Sequence, residues 1–428
     1  MKTILALSLS TCLLLAINSL GYTEASQAKK PVPVTLEKTA DGWRLLRDGK
    51  PYFIKGAGGG SNLQALAAAG GNSCRTWGDE NAEKLLDQAE KLGLTVTVGV
   101  WIGHIEHGFK YDDPAMVKGQ LEAFRRAVRR LKDHPALLMW GIGNEMEIGG
   151  SGENPALWKA VDEIVQMIKQ EDPNHPAMTV VAEISKEKIT GIKKYAPHLE
   201  VLGINSYGGM PSLAGRIKEF GWDKPFAITE FGPRGPWETP KTAWGAPREE
   251  TSTAKAKFYT ENYEKVIAAN RNQCLGSYCF LWDSKMEATP TWFGMFLYGS
   301  GERLAPVEAM TLAWGGKVLN HVPVITAFTS EADGKEIAPG SMQEAAIETL
   351  DSDKDRVRVV WQVRAETVNR SNDPGLPYPP DIPGAILKSD TKSATFKAPM
   401  LPGAYRLYAF VFDDKGNAAT ANFPFLVK

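Results

Sequence analysis

From Tyr52 to about Asn320 the chain repeats one unit: a short apolar run, a polar loop, then a stretch with helical period. The apolar runs are Tyr52–Gly56, Ser73–Trp77, Thr95–Trp101, Leu137–Asn144, Met178–Glu183, Val201–Asn205, Phe226–Glu230 and Gly276–Trp282. Between and after them the helical period appears at Ser61–Ala69, Ala82–Leu92, Pro114–Lys132, Pro155–Gln170, Lys186–Tyr195, Leu213–Phe220, Thr253–Asn270 and Val307–Trp314. Asp79 is placed as the N-cap of the second helix, which Gly93 closes. The strand runs are near-continuous apolar runs, as expected when both faces of a parallel sheet are buried. Eight such units in this length predict an α/β fold, a closed (β/α)8 TIM barrel over residues 52–320, in preference to an open doubly wound sheet.

The flanks obey other rules. Val32–Lys50 carries turn signals at Asp41-Gly42 and Asp48-Gly49 between β-like runs, and residues 26–51 are read as a hairpin packed on the barrel. Beyond Asn320 the period becomes two, in Val324–Thr329, Arg356–Arg364, Ala394–Lys397, Tyr405–Phe412 and Ala418–Val427. Residues 321–428 are therefore expected to form a C-terminal immunoglobulin-like β-sandwich, with Trp361 and Tyr405 as its core Trp and corner Tyr. Asp351-Ser352-Asp353-Lys354-Asp355 has the alternating acids of a calcium loop but no following Gly and Glu, and reads as a solvated acidic turn. At the other end, Lys2, the apolar run Ile4–Leu15 and the small residues after it have the form of a secretory signal peptide within residues 1–25, cut after Gly21 or Ala25. The expected location is secreted or periplasmic. Cys12 lies inside the apolar run, so a lipid anchor is not expected, and no later run is long enough to span a membrane.

Composition narrows the partners. The chain has 428 residues, 49 Lys and Arg against 50 Asp and Glu, and a net charge of -1, which argues against nucleic acid held by bulk charge. Twelve Trp are many, and flat apolar faces of this kind suit sugar rings. Cys74, Cys274 and Cys279 are an odd set and are read as buried free thiols.

In a (β/α)8 barrel the C-terminal strand ends converge on one mouth, where chemistry is done. The fourth strand ends in Asn144-Glu145 and the seventh in Thr229-Glu230-Phe231-Gly232. The second supplies Arg75, the third Trp101, the sixth Asn205-Ser206-Tyr207 and the eighth Trp282. Two carboxylates facing each other across a mouth are what glycosidic cleavage requires, one protonated to assist the leaving oxygen and one ionised to attack the anomeric carbon.

These motifs together resemble glycoside hydrolase clan A. The segment Arg47-Asp-Gly-Lys-Pro-Tyr-Phe-Ile-Lys-Gly-Ala-Gly58 and Asn205-Ser206-Tyr207 are most similar to the catalytic barrel of glycoside hydrolase family 2 and its bacterial β-glucanase-like relatives, over about Leu46 to Asn320. The resemblance implies a retaining mechanism with Glu145 as acid/base and Glu230 as nucleophile. It implies that Asn144 binds the sugar 2-hydroxyl, that Tyr207 and Arg75 hold the nucleophile ionised, and that Trp282 floors the reacting subsite. The sequence departs from the family in lacking the large N-terminal sugar-binding domain, so the family's exo-acting substrates are not carried over.

Two loops at the mouth, Gly232–Glu250 with Trp237 and Trp244 and Ser284–Arg303 with Trp292 and Phe293, are expected to carry sugar-stacking platforms, with at least one Trp only packing the loops together. His104 is expected to line the cleft; His104, Glu106 and His107 have metal-like spacing but no further ligands nearby, and no metal is assigned. Gly56-Ala-Gly58-Gly-Gly60-Ser61 followed by Asp79 approaches a dinucleotide fingerprint, yet Ser61 replaces its third glycine, and no cofactor is expected. The function expected is an exported retaining β-glycoside hydrolase acting on a β-linked glycan, most consistent with a β-glucan. The alternatives are a β-glucan transglycosylase using the same groups and a non-catalytic carbohydrate-binding cell-wall protein. Oligomeric state is left open.

Overall fold

A computed structural model describes residues 29–367 and 378–428. The signal-peptide reading lies outside the described residues. Strands β1 (Val34–Thr39), β2 (Gly42–Arg47) and β3 (Lys50–Pro51) form an antiparallel three-stranded sheet. It seals the N-terminal end of the barrel: Val34 N–H donates to Asn174 O, Trp43 N–H donates to Asn272 O, and Val34 and Leu45 pack against Ile54, Leu138, Met178, Val201 and Tyr278 of the interior.

The barrel consists of β4 (Ile54–Gly58), β5 (Ser73–Arg75), β6 (Thr95–Val100), β7 (Leu137–Ile142), β8 (Ala177–Ala182), β9 (Val201–Asn205), β10 (Phe226–Phe231) and β11 (Cys274–Cys279). Each strand pairs in parallel with the next, and β11 closes on β4. Strands β6, β7, β10 and β11 are buried at every position, which is the burial that produced their unbroken apolar runs. The outer helices are α1 (Leu63–Ala68), α2 (Ala82–Lys91), α3 (Pro114–Leu131), α4 (Pro155–Glu171), α5 (Lys186–Tyr195), α6 (Leu213–Glu219), α7 (Ser252–Asn262) and α8 (Ala305–Ala313). Asp113 and Asn154 start α3 and α4 in the same way, each side chain accepting from two helical N–H groups while a Pro takes the first helical position. Helix α2 differs from expectation: its N-cap is Asn81 in left-handed conformation, and Asp79 instead pairs with Arg130 of α3. The expected helix over Thr253–Asn270 is regular only to Asn262, and its last turns wind as π and then 3-10 helix. Cys74, Cys274 and Cys279 are buried free thiols, as expected.

After the barrel, β12 (Val324–Ser330), β13 (Glu336–Ile337), β14 (Met342–Leu350), β15 (Arg358–Ala365), β16 (Ile386–Ser389), β17 (Ser393–Lys397), β18 (Gly403–Phe412) and β19 (Ala418–Val427) form two four-stranded sheets, ordered β12-β14-β17-β16 and β13-β19-β18-β15. Trp361 is buried against Phe328, and the Tyr405 hydroxyl donates to Leu401 O at 2.9 Å, which holds the chain entering β18. Strand β14 escaped the sequence pattern because one of its two buried inward positions is only an Ala, Ala345 beside Ile347. The sandwich rests on the barrel through Tyr408, Phe410 and Phe412 of β18, which pack on Leu297 and Leu304. A buried polar network lies beside them: Arg406 of β18 pairs with Glu366 and donates to Asn422 Oδ1 and Pro247 O, and Asn422 of β19 donates to Glu249. Glu249 also binds Lys255 of α7, Thr289 and Thr291. Among the described residues no helix is long and apolar enough to cross a membrane.

Candidate active site

The ends of β7 and β10 set the geometry of the mouth. Past β7, Gly143 has φ +63, and a Cβ there would lie 2.2 Å from Met146 Sδ, so only glycine permits the turn. Glu145 follows with φ +56, a conformation costly for a residue with a side chain, and its N–H donates to Val180 O of β8 at 2.9 Å. The turn brings Asn144 and Glu145 into the same cleft as Glu230 of β10.

The two carboxylates have unlike surroundings. Glu230 is buried and accepts from three donors: Tyr207 OH at 2.8 Å, Trp77 Nε1 at 2.7 Å and Arg75 at 3.1 Å. Every one of these contacts uses the carboxylate as an acceptor, the form a nucleophile needs. Burial pushes the Tyr207 hydroxyl well above its usual range, and the adjacent Glu230 adds to this, so the group stays a donor. Glu145 accepts one side-chain bond, from Asn205 Nδ2 at 2.7 Å. Burial, and next the charge of Glu230, push its carboxyl up to about 7, which keeps a proton on it near neutrality. Asn205 also donates to Asn144 Oδ1 at 3.1 Å and accepts from Thr229 Oγ1 at 2.7 Å, locking its amide orientation. Arg75 joins the halves, donating to both Glu230 and Asn144 Oδ1.

Asn144, Glu145, Tyr207, Glu230, Trp101, His104 and Trp237 line one cleft, as the sequence reading placed them. Trp101 is 47% exposed and stacks on His104 with ring centroids 4.5 Å apart, and His107 stacks on the far side of His104 at 5.1 Å. Burial, and next the neighbouring His107, lower the His104 pKa and so favour its uncharged form. Across the cleft Trp237 is 56% exposed and stands edge-on to Tyr207. Trp292 packs the loops together, buried with its Nε1 on Arg234 O, and Trp244 does not line the cleft.

Two expectations need correction. Trp282 is not a subsite floor: it is wholly buried outside the cleft, wedged against Phe296 and Trp314, with Nε1 on Asn62 O at 3.2 Å. Strand β11 ends at Cys279, three residues before the position read from the sequence, and Phe280 presents its ring to the cleft beside Trp77, Tyr207 and Phe293. Arg75 is 2% exposed and lies beneath the cleft, where it acts on Glu230 and Asn144 instead of touching a substrate. Sequence reasoning assigned no role to Trp77, Asn205, Lys285 or Glu287. The first two stood at strand ends already singled out, whereas Lys285 and Glu287 sit in a loop with no pattern of its own.

Residues 61–232, which include both Glu145 and Glu230, match the glycosyl hydrolases family 2, TIM barrel domain. The barrel fits the catalytic barrel of glycosyl hydrolase family 2. Curated proteins similar to this chain are β-glucuronidases: that of Sus scrofa is 28% identical over 183 residues, or 38% of this chain and 26% of the relative, and that of Felis catus is equally similar. Among solved structures, the GH2 β-galacturonidase from Eisenbergiella tayi matches 67% of this chain and 54% of its own, with 18% identity and TM-score 0.52. The Bacteroides uniformis β-glucuronidase 2 matches 92% and 48%, with 14% identity and TM-score 0.53, a likeness of fold. The chain thus spans about a quarter of the length of the curated relatives it matches and about half of the solved ones.

Proposed function

We propose that this protein is an exported retaining β-glycoside hydrolase, with Glu145 as acid/base, Glu230 as nucleophile and a neutral β-linked glycan, a β-glucan, as substrate. The observation that carries the activity is the contrast between the paired carboxylates. Glu145 is pushed up to about 7 by burial, while Glu230 sits among three donors. In the first step Glu230 attacks the anomeric carbon as Glu145 gives its proton to the leaving oxygen. In the second, Glu145 takes a proton from water, which displaces Glu230. The apolar run behind Lys2 supports export.

The choice of a neutral sugar over a uronide rests on the charge of the mouth. Besides the catalytic pair, Glu106, Glu183, Glu238 and Glu287 line the cleft; Glu183 is paired with Arg216, and Lys285, the one lining Lys or Arg among the described residues, is held by Glu287 at 2.6 Å. A sugar carboxylate would enter a field of its own sign. The exposed faces of Trp101 and Trp237 suit the apolar faces of glucan rings.

The test is a panel of nitrophenyl β-glucoside, β-glucuronide, β-galacturonide and β-mannoside, together with β-1,3, β-1,4 and β-1,6 glucans, with the anomer of the product read at early times. Net retention on a neutral substrate is expected, with loss of turnover in Glu230→Gln and a several-fold higher KM for oligosaccharides in Trp237→Ala. Near-normal turnover by Glu230→Gln refutes the mechanism. Hydrolysis of the glucuronide as fast as the best neutral substrate refutes the substrate class alone. Transfer to a second sugar in place of water would appear in the same panel as lengthened products.

A further inference from the structure

Lys285 and Glu287 reach the cleft on a tight turn in the loop after β11. Glu287 N–H donates to Thr289 O at 3.2 Å and Thr289 N–H donates to Glu287 O at 2.6 Å, around Ala288 with φ +57, a conformation rare for a residue with a side chain. The turn is fixed from behind. Thr289 and Thr291 donate to the buried Glu249 carboxylate, Lys255 pairs with Glu249 and donates to Thr291 O at 2.7 Å, and Thr367 donates to Ala288 O. Such a backbone persists only where surrounding contacts over-determine it, and it concentrates at functional sites.

What the turn delivers is a charged pair beside the nucleophile. Lys285 Nζ lies 5.3 Å from the centre of the Phe280 ring and 2.6 Å from Glu287. Phe280 in turn stands edge-on to Tyr207, whose hydroxyl donates to Glu230. Glu287 is 7% exposed; burial pushes its carboxyl pKa up, Lys285 opposes the rise, and the charge of Glu230 adds to it. Among the described residues neither the Lys285 ammonium nor the Glu287 carboxylate has a second polar partner. An ammonium has three donors and a carboxylate about four acceptor positions, so both groups keep hydrogen-bonding capacity while they line the cleft.

We infer that Lys285 and Glu287 determine specificity by gripping one hydroxyl of the sugar that Glu230 attacks, Lys285 Nζ donating to its oxygen and Glu287 accepting its O–H. The inference rests on the glycosidase reading of the cleft. A hydroxyl is donor and acceptor at once, so it suits an ammonium and a carboxylate held 2.6 Å apart, whereas an ion of either sign meets one partner and one opponent there. A site built to bond a hydroxyl rejects the analogue lacking it, because its own polar groups are then left without that partner.

The test is steady-state kinetics of the full chain and its Lys285→Met and Glu287→Gln variants, on the nitrophenyl β-hexoside that the wild type cleaves fastest and on its monodeoxy analogues. Both variants should keep the wild-type circular dichroism spectrum and lose about 10- to 100-fold in kcat/KM on the parent glycoside. On one deoxy analogue, the same for both variants, the loss should be below about threefold, because the gripped hydroxyl is already absent. The wild type should cleave that analogue at least about tenfold more slowly than the parent. Equal losses on the parent and every analogue would show that the pair only braces the cleft wall, and they overturn the inference. So do wild-type rates in both variants, and so does insensitivity towards different analogues in the two. Each of these outcomes leaves the proposed function standing, whereas absence of wild-type turnover on every glycoside overturns that function and the inference with it.

Discussion

Replacing Glu145 with Gln tests the assignment of the acid without relying on any substrate. In the folded protein burial and Glu230 raise the Glu145 carboxyl from 4.5 to about 7, so between those values the native state holds a proton that the unfolded chain has lost. Stability from this group is fully present below about pH 4.5 and is lost as pH rises through about 7. A shift of that size is worth about 3 kcal/mol, and the open side of the cleft reduces it to about 2–3 kcal/mol. Gln keeps the shape and the bond from Asn205 but cannot ionise. Denaturant unfolding followed by tryptophan fluorescence at several values from pH 5 to 8.5 should therefore show the variant gaining on the wild type by about 2–3 kcal/mol across the series. The gain should shrink when Glu230→Gln is introduced into both proteins, because the second contributor to the shift is then gone. In the wild type, kcat/KM should fall as pH rises through about 7 while the acid loses its proton. A difference between variant and wild type that stays constant with pH would refute the reasoning, whatever the effect of the substitution on activity.

Two further outcomes follow from single contacts. Tyr207→Phe removes the 2.8 Å donor to Glu230, and loss of a hydrogen bond to a charged group, about 1.5–3 kcal/mol, should lower kcat/KM about 10- to 150-fold with the circular dichroism spectrum unchanged; an unaltered rate would remove Tyr207 from the mechanism. Arg406→Met leaves Glu366 buried without its cation and should cost about 3–5 kcal/mol in denaturant unfolding, whereas a loss below about 1 kcal/mol would show that the buried Arg406–Glu366 pair carries little of the stability.

The barrel was legible because each strand is buried on both faces and each helix on one, so burial wrote itself into the sequence as unbroken runs and helical periods. Glu145 and Glu230 were legible for the same reason: a carboxylate directly after such a run has nowhere to go but the mouth. What the pattern could not show was the end of a strand whose last apolar residues serve two different layers. Cys279, Phe280, Leu281 and Trp282 form one apolar string, yet Phe280 lines the cleft while Trp282 packs against Trp314 behind it. The partners of the Asp351 turn were invisible for another reason. Asp413 lies some sixty residues away in sequence, and only the packing of the two sheets brings it beside the turn.

Glu249 touches Asn422 of the sandwich on one side and Thr289 and Thr291 on the other, within the loop that carries Lys285 and Glu287 into the cleft. The C-terminal unit is therefore not a cassette that could be cut away or exchanged without loss. Removing it would leave the strands of the barrel intact but release one wall of the cleft, and grafting another sandwich in its place would have to recreate Arg406 and Asn422 at the same seam.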